Sequence, residues 1–169
     1  MQTSLYLDDN EKLIKVLKKI RVFKSFDENN LKKLLRVSKI TSYRPGEIII
    51  KEDKLEKSMY MLIIGNITIL KKGKIITKLK RTGDIFGEMS MLGEQPRSFT
   101  VTAETETSCM IIDTNYLENM DEEGKNSFHA IVYQMFTQIL AHRLWNITEK
   151  YTNSIQQIER LKKELALFK

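Results

Sequence analysis

The chain has 169 residues, 41% of them apolar and 30% charged, with a net charge of +6, which fits one domain plus an extension. No apolar run is long enough to span a bilayer, residues 1–10 carry no basic leader pattern, and a single cysteine, Cys109, excludes an internal disulfide. With two histidines and that one cysteine a metal site is not expected, and a reducing cytoplasmic setting is.

Leu13, Ile14, Val16, Leu17 and Ile20 recur at helical spacing, predicting a short amphipathic helix over 9–20 with Asp9 as its cap. Asp27 is a second candidate cap, for a helix carrying Leu31, Leu34, Leu35 and Val37. From residue 38 the period changes. Strands are expected at 38–43, 47–51, 58–64, 66–70, 75–80 and within 99–112, punctuated by Arg44-Pro45-Gly46, Gly65 and the hairpin turn Lys71-Lys72-Gly73-Lys74. Short strands with turn signals between them predict a small barrel or roll, and their segregation from the helices makes the class α+β. Cys109 falls in a strand, where a buried inert thiol is expected.

One irregular stretch interrupts the strands. Residues 83–101 hold Phe86-Gly87-Glu88, a short apolar run, a turn at 93–96, and Arg97-Ser98-Phe99 entering the last strands. Gly87 lets the backbone approach a ligand closely. The amides after it can open a short helix, whose N-terminus favours an anion. Arg97 can grip a phosphate with two parallel hydrogen bonds, and ionised Glu88 accepts from hydroxyls such as those of a sugar. An anion site beside a sugar-hydroxyl site points to a nucleotide monophosphate.

Residues 116–120 read as a short turn and 121–124 as a polar break, after which Asn126 or Ser127 would cap a long helix running to the end of the chain. Phe128, Ile131, Val132, Met135, Phe136, Ile139 and Leu140 mark its first apolar face. Beyond it Leu144, Tyr151, Ile158 and Leu165 recur every seven residues, with Ile147, Ser154, Leu161 and Phe168 three positions after each. That is a coiled-coil seam with Ser154 as its weak point, so a parallel homodimer is expected; packing of the stripe on the chain's own roll is the alternative. The domain division is 1–126 for the roll with its flanking helices and 127–169 for the long helix with its coiled-coil extension.

Phe86-Gly87-Glu88 and Arg97-Ser98, with strands on both sides, resemble the phosphate-binding cassette of the cyclic nucleotide-binding domain family. The resemblance covers residues 12–151 and takes in Pro45-Gly46-Glu47, Gly65 and Gly83-Asp84; the loop at 51–57 lacks the glycine that family members usually carry. It implies a jelly-roll-like antiparallel β-roll with short N-terminal helices and a long C-terminal helix. It implies that Glu88 binds the ribose 2′-hydroxyl and Arg97 the exocyclic phosphate oxygens. Amides around Gly87, Met89 and Ser90 would line the cassette, Ser98 would add a hydroxyl, and Phe86 and Phe99 would flank it. Ile69 would wall the base or serve only the core. Residues 142–150 are similar to the dimerisation helix of catabolite-activator-type proteins, which makes Thr148 and Asn146 candidates for contacting the base; a solvent-facing Thr148 is the alternative. Ser98, where guanine-preferring members often have threonine, tilts the ligand slightly toward cAMP, with cGMP left open.

The expected function is therefore cyclic nucleotide sensing, passed through the C-terminal helix to an effector protein. A nucleotide-free dimer scaffold is the alternative, and a DNA- or membrane-binding basic protein the third. No helix-turn-helix segment is expected in this chain, hence no direct sequence-specific DNA reading. The lysines are spread along the sequence, so no membrane partner is expected either. No Ser-His-Asp or Cys-His set is visible, and Glu88 beside Arg97 would be too weak a base for catalysis, so no enzymatic activity is expected.

Overall fold

A computed structural model of the chain describes residues 2–3, 11–91, 95–113 and 122–166. The expected cap Asp9, the turn at 116–120, the seam residue Phe168 and part of the turn at 93–96 lie outside these residues. The described chain divides into two compact units, Met1–Val132 and Tyr133–Lys169.

In the first unit, helix α1 spans Glu11–Leu17 and buries Ile14 and Leu17. It is shorter than its apolar pattern. Lys19 and Ile20 donate to Val16 and Leu17, three residues back, which tightens and ends the helix. Helix α2 spans Glu28–Arg36; the Asp27 carboxylate caps it by accepting from the Asn30 amide at 2.7 Å. Leu31, Leu34, Leu35 and Val37 are all fully buried.

The strands are β1 (Gln2–Thr3), β2 (Ser38–Tyr43), β3 (Ile48–Ile50), β4 (Ser58–Ile64), β5 (Ile67–Lys71), β6 (Lys74–Leu79), β7 (Ile85–Phe86), β8 (Thr100–Ala103) and β9 (Thr107–Asp113). They form two antiparallel sheets, ordered β1-β2-β9-β4-β7 and β3-β8-β5-β6. This is the expected α+β roll. Tyr43, Ile50, Leu62, Ile67, Phe86, Val101 and Ile111 belong to a core cluster drawn from both sheets. Cys109 lies in that cluster, and burial pushes its thiol up to about 12, so it stays protonated and inert.

Gly65 joins β4 to β5 at φ +98°, where a β-carbon would lie 2.4 Å from the Glu106 carbonyl oxygen and 2.7 Å from the Thr107 Cα. Both are backbone atoms at the start of β9 and cannot swing aside. Gly65→Ala is expected to lower stability by about 2–5 kcal/mol, from the left-handed backbone plus the overlap. Gly73, with nothing within 4 Å of its hypothetical β-carbon, is the control. Urea unfolding of the two alanine variants checks this, and equal losses would show that the close approach at Gly65 is unimportant.

Helix α3 spans Glu122–Ala166. Its start corrects the sequence expectation: Gly124, Asn126 and Ser127 are inside the helix rather than a break and its caps. Glu122 and Glu123 place negative charge in the first turn, and Lys125 pairs with Glu122 at 3.0 Å. Those terms offset the cost of about 1 kcal/mol for one internal glycine. In the second unit, Leu144, Ile147, Tyr151, Ile158, Leu161 and Leu165 are each more than half exposed. Among the described residues no helix is long and apolar enough to cross a membrane, and no cluster of His, Cys, Asp and Glu is arranged to hold a metal ion.

Candidate functional site

The site is built where β7 leaves the five-stranded sheet. Phe86 pairs with Tyr60 of β4, and their rings stack at 5.4 Å between centroids. Gly87 then turns the chain at φ +74° into a 3-10 turn, Glu88–Met91. A β-carbon on Gly87 would lie 2.8 Å from Ile50 Cδ1 and 2.9 Å from Arg97 Nη1, so glycine is what lets Arg97 come so close.

Arg97 is anchored through its backbone and its side chain. Its amide donates to the Lys54 carbonyl and its carbonyl accepts from the Asp53 amide, both at 2.9 Å. Its guanidinium donates from Nη1 to the Gly87 carbonyl at 2.6 Å and from Nη2 to the Ser58 carbonyl at 2.7 Å. Glu56 Oε2 lies 3.9 Å from Nε, and the guanidinium carbon sits 5.6 Å above the Tyr60 ring. The two carbonyl bonds fix the plane of the fork. Burial pulls the guanidinium below its ordinary value, opposed by Tyr60, then Glu56, then Glu88. Arginine's intrinsic basicity keeps it cationic nonetheless.

Glu88 and Arg97 are each only 3% exposed. Charged side chains are seldom buried to that degree unless matched or used. A fixed guanidinium and a carboxylate, reached through a glycine turn, form a polar floor suited to a small ligand with an anionic group and hydroxyls.

Residues 40–123 match the family model described as cyclic nucleotide-binding domain. This segment belongs to that family. The chain is 31% identical over 104 residues to a cGMP-dependent protein kinase of Eimeria tenella, covering 62% of this chain and 10% of the kinase. It is 34% identical over 88 residues to a cAMP-dependent protein kinase regulatory subunit of Debaryomyces hansenii, covering 52% of this chain and 19% of the subunit. The chain thus spans between a tenth and a fifth of these curated relatives. Among solved structures, Sp-2Cl-cAMPS bound to PKAR CBD2 superposes with a TM-score of 0.62 at 27% identity, over 82% of this chain and 86% of that one.

Within the cyclic nucleotide-binding domain, the structure brings Phe86, Gly87, Glu88 and Arg97 together. Met89 and Ser90 lie in the 3-10 turn, Met89 with its side chain 57% exposed. Ser98 and Phe99 follow Arg97 and are half-buried. Ile69 is half-buried on β5 and packs against the core cluster. Asn146 and Thr148 belong to the helical unit. Asn146 is half-buried, with its Nδ2 3.2 Å from His142 Nε2; Thr148 is exposed.

The sequence reading missed the residues that hold Arg97: Ser58 and Tyr60 on β4, and Glu56 just before it. It also missed Lys71, which pairs with Glu52 at 2.7 Å, donates to the Ser98 carbonyl at 2.7 Å and lies 5.5 Å from the Phe99 ring centroid. Lys71 holds the carboxyl of Glu52 below the usual carboxylate range. Tyr60 was the one with a signal, the single aromatic residue of its strand.

Proposed function

We propose that this chain is a sensor of a 3′,5′-cyclic mononucleotide, cAMP in the first place, and that it passes occupancy through α3 to an effector protein. The observation that carries this reading is the joint burial of Glu88 and Arg97 beside the Gly87 turn. In it, Arg97 takes the exocyclic phosphate oxygens, with the amides around Gly87, Met89 and Ser90 and the Ser98 hydroxyl completing the phosphate's partners. Glu88 accepts from the ribose 2′-hydroxyl. Phe86 and Phe99 flank the cassette, Ile69 walls the base, and Asn146 and Thr148 meet it from the helix. Ser98, lacking threonine's methyl, and the similarity to a cAMP-dependent regulatory subunit and to a domain bound to a cAMP analogue support cAMP over cGMP. The chain then acts by binding rather than catalysis, as a homodimer in the reducing cytoplasm, which fits its one buried thiol.

A second reading is a nucleotide-free scaffold. It draws on the guanidinium's two bonds to the chain's own carbonyls. Isothermal titration with cAMP and cGMP separates the two readings. The expected result is saturable binding with cAMP tighter, together with slower hydrogen exchange over residues 140–155 that Thr148→Ala reduces. A ligand shifts the helix only by its differential affinity for two helix positions, a coupling of roughly 1–3 kcal/mol on the usual scale. No binding of any cyclic nucleotide at millimolar concentration would leave the scaffold. Binding without any change of exchange in the helix would retain the sensor and remove the proposed route.

A further inference from the structure

Residues 71–81, Lys-Lys-Gly-Lys-Ile-Ile-Thr-Lys-Leu-Lys-Arg, hold six basic side chains and no acidic one. They form the β5–β6 turn, strand β6 and the residues just after it. Among the described residues β6 pairs only with β5, at the edge of the four-stranded sheet. Every residue from 72 to 78 is exposed, including Ile75 and Ile76, at 62% and 56%. Lys71 is matched by Glu52 and Lys78 by Glu104. Lys72 and Lys74 remain as exposed positive charge at the turn end, beside the isoleucine pair, and exposed Lys80 and Arg81 follow the far end of β6, where their amides donate to the Asp84 carboxylate. These four charges and the two isoleucines thus share one exposed edge hairpin.

The structure discriminates among four kinds of occupant. A partner strand added to β6 is disfavoured. Its register steps from Leu70↔Ile75 to Ile69↔Thr77, leaving Ile76 as an extra bulged residue. Bulges and lysines together are how sheet edges discourage strand addition. A second copy of this chain would bring like charge against like. A nucleic acid would find no aromatic side chain in 71–81 on which to stack a base, and two exposed isoleucines where it needs polar groups. What remains is a surface that takes an exposed apolar pair on an edge strand, with positive charge at both ends of that strand, through side chains alone. An anionic lipid surface does both, the apolar pair entering the headgroup boundary while the lysines meet lipid phosphates and carboxylates.

We propose that the β5–β6 hairpin docks this chain peripherally on anionic membrane, with Ile75 and Ile76 as the inserting pair and Lys72, Lys74, Lys80 and Arg81 as the electrostatic contact. This replaces the sequence-based expectation of no membrane partner, and it does not depend on nucleotide binding.

The test is sedimentation of the full chain, without nucleotide, with vesicles of phosphatidylcholine alone and of phosphatidylcholine mixed with phosphatidylserine. The chain is expected to bind the mixed vesicles, to release them as salt rises, and to ignore pure phosphatidylcholine. Reversal of three charges, Lys72→Glu, Lys74→Glu and Lys80→Glu, is expected to weaken binding by roughly tenfold or more. Ile75→Ser with Ile76→Ser is expected to weaken it several-fold while leaving the salt dependence in place. All these positions are exposed, so thermal unfolding is expected to stay near that of the parent. No binding to phosphatidylserine vesicles, or undiminished binding by either variant, overturns the proposal. Slower exchange over 71–81 with a polyglutamate peptide but not with vesicles also overturns it and assigns the hairpin to an acidic protein.

Discussion

Arg97→Lys is expected to lower cyclic nucleotide affinity by about 1.5–3 kcal/mol, roughly 10- to 150-fold, the scale of a hydrogen bond to a charged group. The reason lies in geometry more than charge, since lysine keeps the positive sign. The Arg97 fork donates to the carbonyls of Gly87 and Ser58 while its plane lies over Tyr60. An ammonium is a compact, strongly hydrated point charge that cannot meet both carbonyls and still present a flat, two-pronged face to a phosphate. Its desolvation in a site where Arg97 is 3% exposed adds to the loss. Arg97→Ala is expected to abolish measurable binding and the helix response with it. Titration calorimetry reads the affinity, and thermal unfolding separates a weakened site from a damaged fold. Wild-type affinity in a well-folded Arg97→Lys variant would show that Arg97 is not the phosphate clamp.

Much of this was legible in the sequence where the signal is local. Asp27 caps its helix because an Asp immediately before a polar, helix-forming run needs no tertiary information. The strands at 38–43 and 58–64 were recovered to the residue, since the roll forces a change of period and glycines mark its corners. Gly87 and Arg97 were singled out as residues that meet a ligand; the bond between them, from Arg97 Nη1 to the Gly87 carbonyl, was not foreseen. What was not legible is non-local. Ser58 and Tyr60 lie nearly forty residues before Arg97 and reach it only because β4 pairs with β7. The start of α3 was misplaced for a different reason: the breaking tendency of Gly124 was weighed without the acidic first turn and ion pair that sustain the helix. The basic hairpin was missed because a charge count along the chain does not show that residues 72–78 are all exposed on an edge strand.

A chain ended after Arg143 is expected to be monomeric, and the full chain to be a parallel homodimer. Six large apolar side chains at seam positions, Leu144, Ile147, Tyr151, Ile158, Leu161 and Leu165, are more than half exposed in the single chain. Covering them on both copies returns on the order of 1 kcal/mol each, about 12 kcal/mol in all, against an association cost of roughly 4–15 kcal/mol. The balance is narrow, so the dimer is concentration-dependent, and loss of the seam tips it to monomer. Three features lean toward pairing. Leu140 and Tyr133, one and two heptads before Ile147, are also exposed, so the stripe extends upstream of where its repeat first becomes regular. Ser154, the polar seam residue, donates to the Lys150 carbonyl at 2.9 Å, so its hydroxyl is satisfied within the helix and costs the seam only packing. In parallel register the flanking Lys150 and Gln157 would face Ile155 and Lys162 of the second copy, which sets no like charges against each other. Sedimentation equilibrium of both chains over a concentration series checks the outcome. A truncated chain that still dimerises would move the contact elsewhere, and the exposed stripe would then belong to a different partner.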